Sequence, residues 1–411
     1  MKYSGNPWIG DIPYSWNVER IKTIFKERTE LSEDGSETLL SVSEYYGVAN
    51  RSEKVSDGEY VSRAETLVGY KKCFVGDLVS NIMLAWKGSM GITEYDGIVS
   101  PAYCVYEPSK SVFPRYYHYL FRTSLYTSIF RLYSKGIIDS RLRLYSPYFF
   151  DIKAIIPSYS EQQKIASFLD RKCAEIDEMI ALQEKIVEEL KAYKQSVITE
   201  AVTKGLNPDV PMKDSGIEWI GEIPEHWEVR RLKYVAERHC QKVTDEVLPY
   251  IGLENIESFS ENYIETDNEY DISQAQICSV GDVIFGKLRP YLGKARVIKS
   301  EQCCSSEFIV LRGGEAPSYL RHLMLSNWFI EIVNASTYGT KMPRANADFI
   351  MNMQVVVPPI IERKEIECYL NTKCTEIDNL ISIKLSKIDS LKEYKKSIIY
   401  EYVTGKKEVV D

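Results

Sequence analysis

Two long stretches of the chain carry apolar side chains at alternating steps of four and three residues. The seam of the first stretch runs through Leu169, Cys173, Ile176, Ile180, Gln183, Val187, Leu190, Lys194 and Val197. The seam of the second runs through Leu370, Cys374, Ile377, Ile381, Lys384, Ile388, Leu391, Lys395 and Ile398. Heptad spacing is typical of helices that pack on one another. Prolines precede both stretches and Gly205 and Gly405 follow them, so we predict long helices over 158–205 and 359–406.

Each predicted helix is too long to bury its seam on one globular domain. At a rise of 1.5 Å per residue, about 45 residues make a rod roughly 65 Å long. A domain of about 150 residues has a radius of gyration of only about 15 Å. We therefore predict that the two helices pack on each other as one antiparallel coiled coil, with a globular domain towards each end. The alternative is that each helix packs on its own half of the chain.

The remaining segments mix short patterns of both secondary-structure types. AYCVYE and EFIVLR alternate as strands do, whereas YYHYLFRTSLYTSIFRLY and SYLRHLMLSNWFIEIVNA have helical periodicity. We therefore predict an α+β fold with two similar globular domains, at 1–157 and 218–358, and a linker at 206–217.

The two halves of the chain are related by an internal repeat. WIGDIPYSW begins at Trp8 and WIGEIPEHW begins at Trp219, and nine of fifteen positions are identical at a constant offset of 211. Further along, VGDLVSNIMLAWKGSMG matches VGDVIFGKLRPYLGKAR, and KGIIDSR matches YGTKMPR with Arg141 opposite Arg344. The repeat predicts a pseudo-twofold arrangement of one module used twice. We expect the four tryptophans of the first match to be structural, packing each entry segment on its domain.

Composition and motifs exclude several classes of function. No apolar run approaches the roughly 20 residues that span a bilayer, so we expect no membrane association. Nine cysteines without a C-x-x-C pair indicate a reducing, cytoplasmic compartment, and four scattered histidines make no zinc signature. GKLRPYLGKA has six residues between its outer glycines where a phosphate loop needs four. We find no catalytic or metal-binding motif and predict a chain that is not an enzyme.

Positive charge is concentrated locally although the formal net charge is −8. Residues 283–299 hold five basic side chains and no acidic one, and residues 110–153 hold eight basic side chains against two acidic ones. Basic side chains interleaved with tyrosines suit a polyanion with readable base edges. For any single residue, a solvated basic face is the alternative. Both stretches, however, lie close to the repeated motifs, and this favours nucleic-acid binding.

Arg141 and Arg344 are the first candidates for DNA contact, because an arginine fork can bind guanine or phosphate through two hydrogen bonds. Trp86 and Tyr291 could belong either to the core or to a contact surface. The complete set of candidates is Lys87, Lys135, Arg141, Arg143, Lys287, Arg289, Lys294, Lys341 and Arg344, with Trp86 and Tyr291.

These motifs together resemble the specificity subunits of type I restriction-modification systems. The resemblance rests on the two WIG…W segments, on KLRPYLGKA and YGTKMPR, on EQQKIASFLD and YKQSVITEAVTKG, and on the helices that begin their repeats with CAEIDEMI and CTEIDNLI. It implies two target-recognition domains, at 1–157 and 218–358, each reading one half of a split, asymmetric double-stranded DNA sequence. It also implies that the central helix 158–205 and the distal helix 359–406 set the spacer between the two half-sites. The first half departs from the family pattern, with IMLAWKGSMGI in place of KLRPYLGKA.

The resemblance also implies partners and cofactors. Two methylation subunits would supply S-adenosylmethionine-dependent adenine methylation, and two restriction subunits would supply ATP-driven translocation and cleavage. We therefore expect no cofactor on this chain, with S-adenosylmethionine, ATP and magnesium held by the partner subunits. The alternative hypothesis is a non-catalytic coiled-coil scaffold whose two end domains bind proteins. It predicts partner binding that is insensitive to salt and to the neutralisation of Arg141 or Arg344.

Overall fold

A computed structural model describes residues 1–51, 66–243, 248–266, 274–339 and 341–409. The chain divides into two compact units. The first comprises Met1–Leu182 and Lys387–Asp411, and the second comprises Gln183–Ser386. Each unit therefore contains globular structure and part of each long helix. Because the two units are defined by contacts rather than by position along the chain, the bounds of the five predicted segments remain a prediction.

Two of the described helices are far longer than the others. In chain order, the described helices are α1 (Pro114–Phe121), α2 (Ser124–Tyr133), α3 (Ser146–Asp151), α4 (Tyr159–Lys204), α5 (Pro317–Met324), α6 (Asn327–Ala335), α7 (Ala347–Asn352) and α8 (Ile360–Val403). Helix α4 has 46 residues and helix α8 has 44. Both end close to a glycine with positive φ, which has no Cβ to oppose the left-handed conformation. No helix within the described ranges is long and apolar enough to cross a membrane.

The strands of the two units follow the same order along the chain. In the first unit they are β1 (Lys2–Tyr3), β2 (Asp11–Ile12), β3 (Asn17–Arg20), β4 (Phe25–Arg28), β5 (Leu40–Ser43), β6 (Gly47–Asn50), β7 (Lys71–Cys73), β8 (Leu78–Asn81), β9 (Met90–Ile92), β10 (Gly97–Val99), β11 (Tyr103–Pro108) and β12 (Lys153–Ile156). In the second unit they are β13 (Met212–Asp214), β14 (Glu222–Pro224), β15 (Glu228–Arg231), β16 (Glu237–His239), β17 (Tyr250–Ile251), β18 (Gln276–Cys278), β19 (Asp282–Gly286), β20 (Ala295–Val297), β21 (Gln302–Cys304), β22 (Phe308–Arg312) and β23 (Gln354–Val357). Strand β13 lies in the stretch predicted as a linker.

The central sheets of the two units have the same topology. Each has four strands, in the order β4-β11-β8-β9 and β16-β22-β19-β20, and every pairing is antiparallel. The repeated Gly-Asp pair begins an inner strand of each sheet. The Oδ2 atoms of Asp77 and Asp282 accept the backbone N–H groups of Phe74 and Ser279, both at 2.9 Å. The Gly-Asp pair that matches between the two halves therefore forms a turn that leads into an inner strand of the sheet.

The second tryptophan of each repeat joins the globular structure to the start of a long helix. Trp16 and Trp227 are buried, and their indole N–H groups donate to Glu161 and Glu362 in the first turns of α4 and α8, at 3.0 and 2.8 Å. The structural prediction is confirmed for these two. It is wrong for Trp8 and Trp219, which are 61% and 53% exposed. In the first turn of each repeat, the isoleucine that follows the tryptophan packs on the core, and the tryptophan itself is exposed to solvent.

Within each unit the long helices run antiparallel. In the first unit Phe168 of α4 packs on Tyr402 of α8, and Asp177 accepts from Lys395, so the partner numbers fall as the α4 numbers rise. In the second unit Lys194 binds Asp378. Every predicted seam residue is buried or half-buried. The predicted α+β fold, with its repeated module and its antiparallel coiled coil, is confirmed.

Candidate nucleic-acid interface

Each unit has a hairpin loop between two strands of its four-stranded sheet. The first hairpin loop (residues 82–89) joins β8 to β9, and the second hairpin loop (residues 287–294) joins β19 to β20. Both contain one turn of 3₁₀ helix, at Ala85–Lys87 and Pro290–Leu292. Both turns end at a left-handed glycine, Gly88 or Gly293. The two loops thus share one backbone design.

A second loop, here called the crossing loop, lies against each hairpin loop. The first crossing loop (135–143) is closed by mutual backbone hydrogen bonds between Lys135 and Arg143, and the second (338–344) by those between Tyr338 and Arg344. The residue that follows each loop donates its N–H to the hairpin loop: Leu144 to Ile82 O and Ala345 to Lys287 O, both at 2.9 Å. Each unit therefore brings its two candidate segments together.

The crossing loops correct the predicted pairing of Arg141 with Arg344. The bridges and the following hydrogen bonds place Arg143, not Arg141, opposite Arg344. The first crossing loop has seven residues between its bridging pair and the second has five. An alignment that starts at the shared glycine and has no gap therefore pairs two arginines that do not correspond in the structure. Arg141 lies in a 3₁₀ turn, Asp139–Arg141, and its side chain is exposed.

The second unit places its cations around one carboxylate. Arg344 donates to Glu307 Oε1 at 2.5 Å, and Lys287 donates its backbone N–H to Glu307 O at 2.8 Å. Burial lowers the pKa of the half-buried Lys287, with Arg238 and Arg344 acting in the same direction and Glu307 opposing them. Arg238, which the sequence analysis missed, also pairs with Asp348 at 3.0 Å. These side chains form a positive cluster with two counter-charges, Glu307 and Asp348.

Other predicted residues of the second unit fall into two groups. Arg289 has a left-handed backbone (φ 49°), unusual for a non-glycine residue, and its N–H donates to Pro343 O at 2.7 Å. Tyr291 and Lys341 are exposed beside it in the hairpin and crossing loops. Lys294, by contrast, donates its ammonium to Leu253 O at 2.7 Å, and desolvation lowers its pKa. Lys294 therefore supports the loop from within.

The first unit holds its cations over aromatic rings. The guanidinium of Arg131 and the ammonium of Lys87 lie 4.9 and 5.2 Å from the centre of the Trp86 ring. Trp86 is half-buried, and its indole N–H donates to Met83 O. Lys135 lies 4.6 Å from the Tyr148 ring. Arg131 is also paired with Asp139 at 2.8 Å, whereas the cation–π contacts of Lys87 and Lys135 hold a positive charge at the surface without neutralising it.

The first hairpin loop lacks the cations of the second. Ile82 and Leu84 occupy the positions of Lys287 and Arg289. Arg143 is half-buried and donates through Nη1 to the carbonyls of Ser140 and Leu142. The positive charge of the first unit thus comes from Lys87 at the end of the 3₁₀ turn, from α2 and from the crossing loop.

The described residues bring together no group of three or more histidine, cysteine, aspartate or glutamate side chains that could hold a metal ion. All nine cysteines are free thiols. Cys303 and Cys304 are buried in β21, as two small strand side chains. Burial raises the pKa of the Cys303 thiol. These thiols pack and do not form a reactive site.

Comparison with known proteins finds type I restriction specificity subunits among the similar sequences. No protein-family model matches the chain. The MjaVIII type I restriction enzyme specificity subunit of Methanocaldococcus jannaschii is 24% identical over 431 residues, covering 96% of this chain and 93% of that protein. The EcoDI specificity subunit of Escherichia coli is 24% identical over 318 residues, covering 70% and 69%. This chain is thus similar, over 70% to 96% of its length, to type I restriction specificity subunits.

Solved structures share the fold of this chain. A chain from a type I restriction-modification system, studied for complex assembly and conformational transition, superimposes with a TM-score of 0.70 at 15% identity. The match covers 96% of this chain and 98% of that one. The HsdS subunit of Thermoanaerobacter tengcongensis superimposes with a TM-score of 0.56 at 16% identity, covering 98% and 100%. The resemblance stated from the sequence is confirmed.

Proposed function

We propose that this chain is the sequence-specific DNA-binding subunit of a type I restriction-modification complex, and that each unit reads one half of a bipartite, asymmetric target. One observation carries the proposal. A homologue of specificity subunits repeats the same hairpin and crossing loops in both units and fills them with different side chains. A repeated backbone supports the same docking geometry twice, and different contents support two different base sequences.

Arg344 is the residue we assign first to DNA contact in the second unit. Its guanidinium is half-exposed and is paired with Glu307 at 2.5 Å. A phosphate or a guanine edge can replace that carboxylate as a two-point acceptor. Tyr338 and Met342 in the same loop are 62% and 61% exposed and can pack against sugar or base. Lys287, Arg289, Tyr291 and Lys341 extend this surface.

In the first unit the corresponding surface is formed by other residues. Arg141 is exposed in the crossing loop, and Arg131, Lys87 and Lys135 lie over aromatic rings. Arg143 stabilises the crossing loop through its two carbonyl contacts. On this surface Arg131 is paired with Asp139 of the crossing loop while Lys87 and Lys135 lie over aromatic rings, and so it differs from the second unit in what it can accept.

The long helices have the remaining roles in the proposal. Their antiparallel pairing sets the spacer between half-sites, and the chain docks two methylation subunits and, in the restricting complex, two restriction subunits. S-adenosylmethionine, ATP and magnesium belong to those partners, and this chain performs no catalysis. Several phosphate contacts from lysine and arginine make DNA binding fall steeply with salt.

Modification-sensitive sequencing of host DNA tests the proposal. The comparison is between cells with this chain and cells without it, with the methylation partner intact in both. Methylated adenines in a split motif should vanish on deletion and return with the wild-type chain. Methylation that is unchanged on deletion would contradict the proposal and favour the scaffold alternative.

A further inference from the structure

Lys194, the buried lysine of the first helix seam, contacts more than the other long helix. The side chain of Lys194 is 8% exposed, and its ammonium donates to both carboxylate oxygens of Asp378 at 2.7 Å. Its third hydrogen bond goes to the backbone carbonyl of Phe259 at 2.9 Å. An ammonium has three donors, and all three are therefore used. One contact fixes the helix register, and another reaches into the globular part of the second unit.

Phe259 transmits this contact to the second hairpin loop. Its backbone is left-handed, with φ 54°, a conformation that non-glycine residues rarely adopt and that the surroundings must hold in place. Its N–H donates to Gly293 O at 3.0 Å. A Cβ on Gly293 would lie 2.5 Å from the Phe259 ring, so the ring packs directly on the loop backbone. Gly293 ends the 3₁₀ turn that carries Tyr291.

We infer that Lys194 is a positioning residue that ties the second hairpin loop to the helix pair and thereby governs base discrimination at one half-site only. The path has three steps: Lys194 to Phe259 O, Phe259 N–H to Gly293 O, and Gly293 to the turn beside Arg289. The inference rests on the proposed DNA-reading function. It adds that a residue of the helix seam, remote from the reading surface in sequence, sets the specificity of one unit.

The first unit anchors its hairpin loop differently. Lys395, the repeat counterpart of Lys194, donates to both oxygens of Asp177 at 2.7 Å, and its side chain is 29% exposed. Gly88 O, the counterpart of Gly293 O, accepts from Nη1 of Arg122 at 3.4 Å. The same guanidinium also donates to carbonyls of the β5–β6 turn and of Met90. The first hairpin loop is therefore held from within the globular part, and Lys395 is the matched control.

The test uses the full chain assembled with its methylation subunits. Methylation rates are measured on duplexes with single base changes in either half-site, for wild type, Lys194→Met, Lys194→Arg and Lys395→Met. The half-site of the second unit is the one at which Arg344→Gln loses discrimination. Lys194→Met should reduce discrimination at that half-site by about tenfold, because a well-placed base contact is worth that much or more. The other half-site should be unchanged, Lys194→Arg should retain most discrimination, and Lys395→Met should alter neither half-site.

Three outcomes would overturn the inference. Equal losses at both half-sites would show that Lys194 acts only through helix stability, and no loss would show that the loop is held without it. Either of these two results would leave the proposed function intact, because the wild type would still methylate a split motif. A wild type without a split motif would overturn the function and the inference together. Asp378→Asn retains a hydrogen-bond acceptor beside Lys194 and should give a smaller loss at the same half-site, which keeps the test decisive if Lys194→Met does not fold.

Discussion

The two hairpin loops share a 3₁₀ turn that ends at a left-handed glycine, but they differ in nearly every side chain that could face a ligand and in the backbone before the turn, where Arg289 is left-handed (φ 49°) and Leu84 is not (φ −127°). Both have a 3₁₀ turn, a left-handed glycine and a hydrogen bond from the residue after the crossing loop. The second loop carries Lys287, Arg289 and Tyr291, where the first carries Ile82, Leu84 and Trp86. The repeat thus preserves the turn from which side chains project and leaves their chemistry free to diverge.

The two units also hold their cations by different means. Arg344 of the second unit and Arg131 of the first are each paired with a carboxylate, Glu307 and Asp139, but in the first unit Arg131 and Lys87 also lie over the Trp86 ring. An arginine must release its carboxylate before it binds another anion, whereas a cation held over an aromatic face has no such partner to release. The two surfaces therefore differ in how substitution of Trp86 or Lys87 should affect them.

The largest expected effect is a difference in stability between substitutions of the two seam lysines, Lys194 and Lys395. Lys194→Glu places a carboxylate beside Asp378 in a site where the lysine side chain is 8% exposed. Disrupting a buried ion pair in this way costs about 3–5 kcal/mol in the free energy of unfolding. Lys395→Glu acts at a more exposed pair and should cost about 1 kcal/mol or less. Urea unfolding of both variants measures the difference, and equal losses would contradict the asymmetry.

Neutralising Arg344 should give the next largest effect. Arg344→Gln should weaken binding to specific DNA by about 1–3 kcal/mol and relax discrimination at one half-site. If the arginine contacts phosphate instead, the loss should be uniform across sequences and the salt slope should fall by about 0.9. Lys396→Gln removes an exposed helix lysine that pairs with Glu393 and is the control. Unaltered DNA binding by Arg344→Gln would remove it from the interface.

One histidine in each unit, the buried His322 and the half-buried His118, should make stability depend on pH. Burial lowers the pKa of His322 to about 3 and holds the pKa of His118 well below its usual value. Both stay neutral when folded and gain a proton when unfolded below about pH 6.5. Their stabilising contribution is therefore complete above that pH and is lost as the pH falls towards about 3. The expected slope is about 1 kcal/mol per pH unit for each histidine.

Histidine substitution separates the two contributions to this slope. His322→Gln and His118→Gln should each flatten the dependence of the unfolding free energy on pH between about pH 6.5 and 4.5. Denaturant titrations at several pH values measure it. A slope that stays unchanged in both variants would contradict neutral burial of these side chains.

The smallest expected effect comes from giving the first hairpin loop a cation of the second. Leu84 is 40% exposed and occupies the position of Arg289. Leu84→Arg should add one phosphate contact and steepen the salt dependence of DNA binding by about 0.9 in the logarithmic slope. Leu84→Gln adds polarity without charge and is the control. An unchanged slope in Leu84→Arg would show that this loop does not approach the DNA backbone.

Much of the fold could be predicted from the sequence because its signals are local and repeated. The heptad seams predicted α4 and α8 to within a few residues, and the constant offset of the WIG…W motifs predicted two similar modules. The exposed Trp8 and Trp219 were missed, because a match between repeats does not say which side of a turn faces solvent.

The candidate interface was predicted less well because it depends on contacts between distant residues. The two extra residues of the first crossing loop displaced Arg141 from the register of Arg344. Glu307 lies 37 positions from Arg344, and Phe259 lies 65 positions from Lys194, so no periodicity links them. Lys294 is a basic residue in a candidate loop, as a DNA contact would be, but its ammonium donates to a backbone carbonyl inside the second unit.

Replacing residues 1–157 with the corresponding domain of another specificity subunit tests the central claim most directly. The recipient keeps its second unit and its methylation partner, and the methylated motif is read by modification-sensitive sequencing. We predict that the bases of one half-site change while the bases of the other half-site and the spacer are retained. New bases in both half-sites would contradict the claim that each repeated unit reads one half of the target.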